Sequence, residues 1–191
     1  MGKVKNIILF VIKIKTIILF KLYRINYKSF VVKGPFSIHV QKKGKCTFGE
    51  HFTANAGFFS IDNGVNTKIK VYDNASLEIG DNVGISTTCI ICRKEIRIGN
   101  YTKVGAGCMI TDSNHHSLDY RKRQSDDFFD AKCSPVIIGS NVFIGMRSII
   151  LKGVHIGDKA IVAAGSVISR DIPEGEIWGG NPAKFIRKID S

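Results

Sequence analysis

From residue 138 onward an aliphatic side chain returns at every sixth position: Ile138, Ile144, Ile150, Ile156, Val162 and Ile168. Glycine follows directly at Gly139, Gly145 and Gly157, and the small Ala163 and Ser169 follow two of the others. Upstream, Ile79, Ile85 and Ile91 keep the same spacing, and after one extra residue so do Ile98, Val104 and Ile110. Val65, Val71, Leu77 and Val83 keep it in another frame, and before Val65 the pattern is faint. A helix repeats at about 3.6 residues and a strand at about 2, so neither produces this period. A solenoid does, if each hexad supplies one short strand and one turn and three hexads close a triangular coil. Each aliphatic side chain then points inward and stacks on its equivalent one coil above. Glycine fits beside it, where a Cβ would be costly.

The period breaks on a large scale once, between Ile110 and Ile138. The intervening Thr111 to Val136 is polar and charged, and packing of a continuous solenoid has no need of it, which marks a functional loop. It holds the only adjacent histidine pair, His115 and His116, followed by Arg121, Lys122 and Arg123 and then Asp126, Asp127, Phe128 and Phe129. The three basic residues either face an anionic ligand or form a solvated charge run.

Composition sharpens the picture at the other end. The 191 residues carry a net charge of +12, yet residues 1–49 hold eleven lysines and arginines and no acid, Glu50 being the first carboxylate. The remainder is close to neutral, so nucleic acid is not an expected partner. Asn6 to Phe20 is strongly apolar but interrupted by Lys13 and Lys15. Lysines at mid-span make a transmembrane helix expensive, and no clean stretch suits a secretory signal. The lysines scatter around a helical wheel, so a clean amphipathic helix is not predicted either. Two readings of the head follow: a cap over the open end of the solenoid, or a peripheral contact of residues 1–33 with an anionic membrane surface.

Five cysteines, an odd number without a short secreted framework, point to a reducing, cytoplasmic setting. Cys89 and Cys92 form a C-x-x-C, but no second ligand pair follows at zinc-site spacing, so they are read as packing residues.

Three stretches resemble the hexapeptide-repeat acyltransferases, in the branch of maltose, galactoside and surface-polysaccharide O-acetyltransferases. They are Asp112 to Asp119, with its His-Ser-Leu-Asp; Pro135 to Gly145; and Ala164 to Pro173 continuing through Gly179 to Lys188. The resemblance covers about residues 75–188. It implies an all-β, left-handed parallel β-helix with a protruding loop and a short helical C-terminal tail. The domain plan is then 1–50 as the basic apolar segment, 51–172 as the acyltransferase solenoid with loop 111–136, and 173–191 as a tail contacting CoA.

The activity implied is acetyl transfer from acetyl-CoA to a hydroxyl of a sugar or bacterial surface polysaccharide. Such chemistry needs a base for the alcohol proton, and histidine suits it near neutral pH. The resemblance places the base at His116, with Asp119 (or Asp112) available to orient the imidazole. Asp112 and Asp119 could equally cap turns of the loop. It places His115 and Phe143 beside the acceptor, Phe143 standing where many relatives have tryptophan, and it places CoA against Met146, Ala164, Ser169, Lys184 and Arg187. Relatives that acetylate galactosides or maltose carry Asn and Asp in the coil before the loop; Ser86 to Arg93 lacks them, so a different acceptor is expected. A homotrimer with sites between subunits and no metal is also implied. Rival readings are an antibiotic-modifying acetyltransferase, an amino-sugar N-acetyltransferase, a zinc γ-carbonic anhydrase and a non-catalytic β-helix scaffold. His39, His51, His115, His116 and His155 do not resemble the carbonic anhydrase ligand spacing.

Overall fold

Hexad after hexad becomes a strand and a corner, and the computed structural model, which describes residues 2–57, 66–124 and 131–189, winds them into a left-handed parallel β-helix. The first coil is β1 (Asn26–Tyr27), β2 (Phe30–Lys33) and β3 (Phe36–Val40); the second is β4 (Lys45–Phe48), β5 (Phe52–Asn55) and β6 (Thr67–Val71). The third is β7 (Ser76–Ile79), β8 (Gly84–Ser86) and β9 (Cys89–Cys92); the fourth is β10 (Glu95–Ile98), β11 (Lys103–Val104) and β12 (Met109–Thr111). After the loop come β13 (Val136–Ile138), β14 (Phe143–Ile144) and β15 (Ile149–Ile150), then β16 (His155–Ile156), β17 (Ile161–Val162) and β18 (Val167–Ile168). Every third strand pairs in parallel, which generates three sheets, here faces A, B and C in the order the chain visits them.

Register shows why six residues is the period. On face A, Ile79 stands over Ile98, Ile98 over Ile138 and Ile138 over Ile156. Ile85, Val104, Ile144 and Val162 make the column on face B. Ile90, Ile110, Ile150 and Ile168 make it on face C. All are buried and belong to one continuous core. Each aliphatic side chain buried this way contributes roughly 1.5–3 kcal/mol.

The glycines serve the approach of one coil to the next. A Cβ on Gly145 would stand 2.5 Å from the Ala164 nitrogen, and one on Gly99 would stand 2.7 Å from the Ser140 nitrogen. The left-handed conformation falls instead two residues after such glycines, at Asn82, Tyr101, Asn141 and Lys159, with φ between 58° and 60°. Asparagine tolerates that region best among non-glycine residues, and it fills two of these four corners.

Several expectations need correction. Ile90 and Cys92, not Ile91, face the core on β9, because the corner after Ile85 is one residue shorter than a strict hexad. The solenoid starts at Asn26 rather than at residue 51. Its first two coils hide from a search for aliphatic hexads because Phe36, Cys46, Phe48, Phe52 and Ala54 fill their interior. The spacing is also broken by the long interval in sequence between Asn55 and Thr67, and Val65 lies outside the described residues. The tail is a strand pair, not helical. β19 (Glu176–Gly180) continues face B beside β17, and β20 (Ala183–Lys188) folds back antiparallel on it. Asn181 and Pro182 make the turn between the two strands, which commits the chain to a hairpin.

The basic head is a single helix, α1 (Gly2–Leu22), packed against β2. Its Phe20 is fully buried and plugs the open end of the solenoid. The ring lies 4.9 Å from Phe30, 5.1 Å from Tyr27 and 5.3 Å from Phe48, centroid to centroid. Phe48 in turn stacks on Phe52 at 4.4 Å. Truncating this plug by Phe20→Ala is expected to cost about 3–5 kcal/mol, the usual range for a buried phenylalanine. Equilibrium denaturant unfolding measures it; a loss under about 1 kcal/mol would mean the cap is not part of the cooperative core.

Candidate functional site at the loop

The residue that follows each strand of face C sits at one corner, and successive coils stack these residues in a column. Gln41, Tyr72 and Arg93 occupy it, tied by backbone bonds such as Gln41 N–H to Val71 O and Tyr72 N–H to Cys92 O, both 2.9 Å, while Asp112, after β12, is shifted by one position and stands over Cys92. At Asp112 the chain leaves the solenoid. The Asp112 carboxylate is fully buried and accepts the backbone N–H groups of Arg93 at 2.8 Å, Lys94 at 2.6 Å and Glu95 at 2.7 Å. A carboxylate holding three peptide donors needs no cation to be stable out of water. Beside it lies the Cys92 sulfur, 3.7 Å away, and burial together with that carboxylate pushes the thiol pKa up. The neck of the loop closes where Ser113 bridges Cys133, Asn114 N–H donates to Lys132 O at 3.1 Å and Ser134 N–H donates to Asp112 O at 2.9 Å.

The histidine pair lies just beyond this anchor. His115 takes a left-handed φ of 64°. Its backbone N–H donates to Ser113 Oγ at 3.0 Å, and its Nε2 is 2.8 Å from Thr111 Oγ1. That bend leaves His115 half-buried and His116 exposed, the two side by side on one groove. Burial, then the nearby Arg93 charge, lowers the His115 pKa below its ordinary value. At neutral pH His115 is therefore an uncharged hydrogen-bonding group.

Asp119 opens the short helix α2 (Tyr120–Arg123) as its N-cap, accepting from Arg121 N–H at 3.0 Å. The Arg121 guanidinium binds both carboxylate oxygens at 3.1 Å. These bonds hold the Asp119 carboxyl below the usual range. Arg123 donates to the carbonyls of Ser117 at 2.9 Å and Leu118 at 3.0 Å, so two of the three basic loop residues hold the loop together. Asp126, Asp127, Phe128 and Phe129 lie outside the described residues.

The groove has a volume of about 780 Å³ and, besides the histidines, is bordered by Gln41, Lys70, Tyr72, Asp73, Asn74 and Arg93. Lys70 and Arg93 lie over the Tyr72 ring at 4.6 Å and 4.9 Å. None of these was singled out from sequence, because they come from coils one to three, some 20 to 75 residues before His116. Their signal was positional: the residue after each face C strand, readable only once the frame of the coils is known.

The remaining expected residues stand elsewhere. Phe143 is exposed on face B. Met146 and Ala164 occupy the corner between faces B and C in successive coils, where Gly165 N–H donates to Met146 O at 2.8 Å. Ser169 lies at the next corner of the same coil, and Lys184 and Arg187 are exposed on β20. None of them borders the groove of His115 and His116. Cys89 and Cys92 project from opposite sides of β9, which suits packing and not chelation of one ion. Among the described residues no group of three or more His, Cys, Asp or Glu could hold a metal ion.

Comparison with known proteins places this geometry in context. Residues 135–170 match a family model described as the hexapeptide repeat of succinyl-transferase. The chain is 30% identical over 161 residues to a protein of Escherichia coli (strain K12) named as a lipopolysaccharide biosynthesis O-acetyl transferase, WbbJ, across 81% of this chain and 78% of that one. Among solved structures it is similar to the hexapeptide-repeat acetyltransferase VCA0836 of Vibrio cholerae O1 biovar eltor in complex with acetyl-coenzyme A. There the identity is 25% and the TM-score 0.61, over 90% of this chain and 74% of that one. A maltose O-acetyltransferase of Clostridium difficile 630 is 30% identical with a TM-score of 0.51, over 86% and 69% of the two chains.

Two measurements test the site's internal supports. Asp112→Ala strands three buried donors and is expected to cost on the order of 3 kcal/mol, read as a lower denaturation midpoint. It should also speed hydrogen exchange at Arg93 to Glu95. His115 is expected to titrate below 6.5 by NMR, and Arg93→Gln should move it upward. Because the fold disfavours the imidazolium, its contribution to loop stability is complete above 6.5 and declines as pH falls through the lowered value.

Proposed function

This chain belongs to the hexapeptide-repeat acyltransferase family and is an acetyl-CoA-dependent acyltransferase, and we propose that it acetylates a hydroxyl of a sugar or bacterial surface polysaccharide with His116 as general base. The observation that carries the reading is the groove itself: an exposed histidine beside a neutral one, bordered by amide, carboxylate, phenol and basic side chains. Such a border suits a polyhydroxylated acceptor. The relative named for lipopolysaccharide O-acetyl transfer supports a glycan.

Acetyl-CoA supplies the activated thioester carbonyl. His116 takes the proton of the acceptor hydroxyl as its oxygen attacks that carbonyl. The tetrahedral oxyanion collapses to the ester, and the imidazolium returns its proton to the departing thiolate, giving acetylated acceptor and free CoA. His115, kept neutral and fixed by Thr111, holds the acceptor by hydrogen bonds. The Asp119 carboxylate, locked on Arg121, acts by fixing the loop that carries His116. Gln41, Asp73 and Asn74 supply hydroxyl partners that the coil from Ser86 to Arg93 lacks.

The chain's own surface fits CoA at a different corner. Ala164 and Gly165 are exposed, with nothing within 4 Å of where a Gly165 Cβ would lie, and they leave room for a pantetheine arm. Lys184 and Arg187 offer cations for the nucleotide phosphates. These groups and His116 stand at separate corners of the solenoid and in different coils, and a neighbouring copy in a homotrimer would bring the two sets together. Phe143 would then wall the shared site.

His116→Ala should lower acetyl transfer by about 10²–10⁴-fold with unchanged thermal unfolding, assayed as CoA release across a panel of sugars and glycans. Retained turnover removes His116 from the base role. Mixing and reassembling His116→Ala with a Lys184→Glu/Arg187→Glu variant should restore part of the activity that each lacks alone. No recovery would place both sets in one chain's site.

A further inference from the structure

Helix α1 has two apolar sides, and the solenoid covers only one. Leu9, Ile12, Thr16, Leu19 and Phe20 recur at three- and four-residue spacing and turn toward the body, where Thr16 and Phe20 are buried. At about 100° per residue, the opposite side carries Val4, Ile7, Phe10, Val11, Ile14, Ile18 and Leu22. All seven are exposed, Phe10 at 65% and Ile18 at 59%. This double-sided pattern explains why the wheel lacks a simple amphipathic division. The uncovered stripe is contiguous, running the length of the helix, and is larger than scattered surface apolars would give.

We infer that this outer stripe of α1 is a docking face for an anionic lipid bilayer, on which the helix lies flat with its long axis in the plane of the surface. Charge selects the occupant. Lys21 falls within the stripe and Lys15 at its edge, Lys5 and Lys13 stand elsewhere around the helix, α1 contains no acid, and Arg24 and Lys28 follow at its end. A second copy seated on the same stripe would bring lysines against lysines, whereas anionic headgroups neutralise them. Crossing the bilayer is not the mode: among the described residues no helix is long and apolar enough to do so. The docked side of α1 is in any case committed to the aromatic plug.

The fold gives this face an orientation. Tyr23, just past α1, lies with its hydroxyl 3.1 Å from His39 Nδ1, two residues before Gln41, where the groove begins. From there the groove climbs the corner of faces C and A to His116, three coils on, which is roughly 15 Å at the spacing of paired strands. A bilayer under α1 therefore lies at the foot of the groove. A lipid-linked saccharide could reach the histidines from it; that corollary rests on the acetyl-transfer reading, while the docking itself does not.

The test is co-sedimentation of the full chain with phosphatidylcholine vesicles and with vesicles containing about 30% phosphatidylglycerol, with no acceptor present. The wild type should partition to the anionic vesicles, several-fold less when salt is raised from about 0.1 M to about 0.5 M. Ile14→Glu/Ile18→Glu should cut partitioning by about tenfold or more while leaving CoA release with a soluble acceptor, or thermal unfolding, at the wild-type value. Ile7→Glu/Phe10→Glu, farther from the plug, reports the same face if the first variant unfolds. Equal partitioning of wild type and both variants overturns the proposal. So does failure of the wild type to bind anionic vesicles, or a fall in particle mass by light scattering with either variant, which would mean that another copy covers the stripe.

Discussion

Parallel coils stacked at the spacing of paired strands, about 4.8 Å, impose one requirement on everything else in this molecule: each corner must repeat the geometry of the corner below it. The columns of Ile79, Ile98, Ile138 and Ile156 and of Ile90, Ile110, Ile150 and Ile168 are the interior expression of that requirement. Its exterior expression is backbone contact so close that Gly99 and Gly145 cannot carry a Cβ without displacing the next coil. A chain built this way can leave its path only at a corner, and must return to the partners it left.

The loop obeys both conditions. It departs after β12 and rejoins before β13, with Ser134 N–H donating to Asp112 O at 2.9 Å across its neck. The buried Asp112 carboxylate binds three peptide N–H groups of the coil below, which fastens the point of departure to the solenoid. His115 is the residue that bends, and His116 is the residue the bend presents. The stiffness of the stacked coils is thus transmitted to the histidine on the loop, which is the kind of support that the base role proposed for His116 calls for.

A solenoid also has two ends that stacking cannot satisfy. Here the chain closes them differently. At the N-terminal end Phe20 fills the triangular interior among Tyr27, Phe30 and Phe48, and the helix that delivers it keeps a second apolar side in reserve. At the C-terminal end β19 extends face B by one more strand and β20 turns back along it, with exposed Lys184 and Arg187 on the outermost strand.

Much of this was legible in residues 138–168, where strict hexads with attached glycines demand a three-sided coil, and in His115-His116, which mark the point where the period stops. Period is a local property of the chain, so it survives in the sequence. The first two coils were not legible: aromatic and small residues share their interior with the aliphatic ones, and the interval from Asn55 to Thr67 erases the count. Nor was the hairpin tail, since an alternating strand and a short basic helix differ by a register that pairing with β17 decides. The groove was the least visible part. Gln41, Tyr72 and Arg93 meet His116 only because parallel stacking brings residues from different coils to one corner. By itself the sequence determined the repeat, the break in it and the chemistry available at the break. The tertiary structure decided which distant side chains share that corner and which side of α1 remains uncovered, because contact between coils depends on accumulated register, which no single segment of the chain contains.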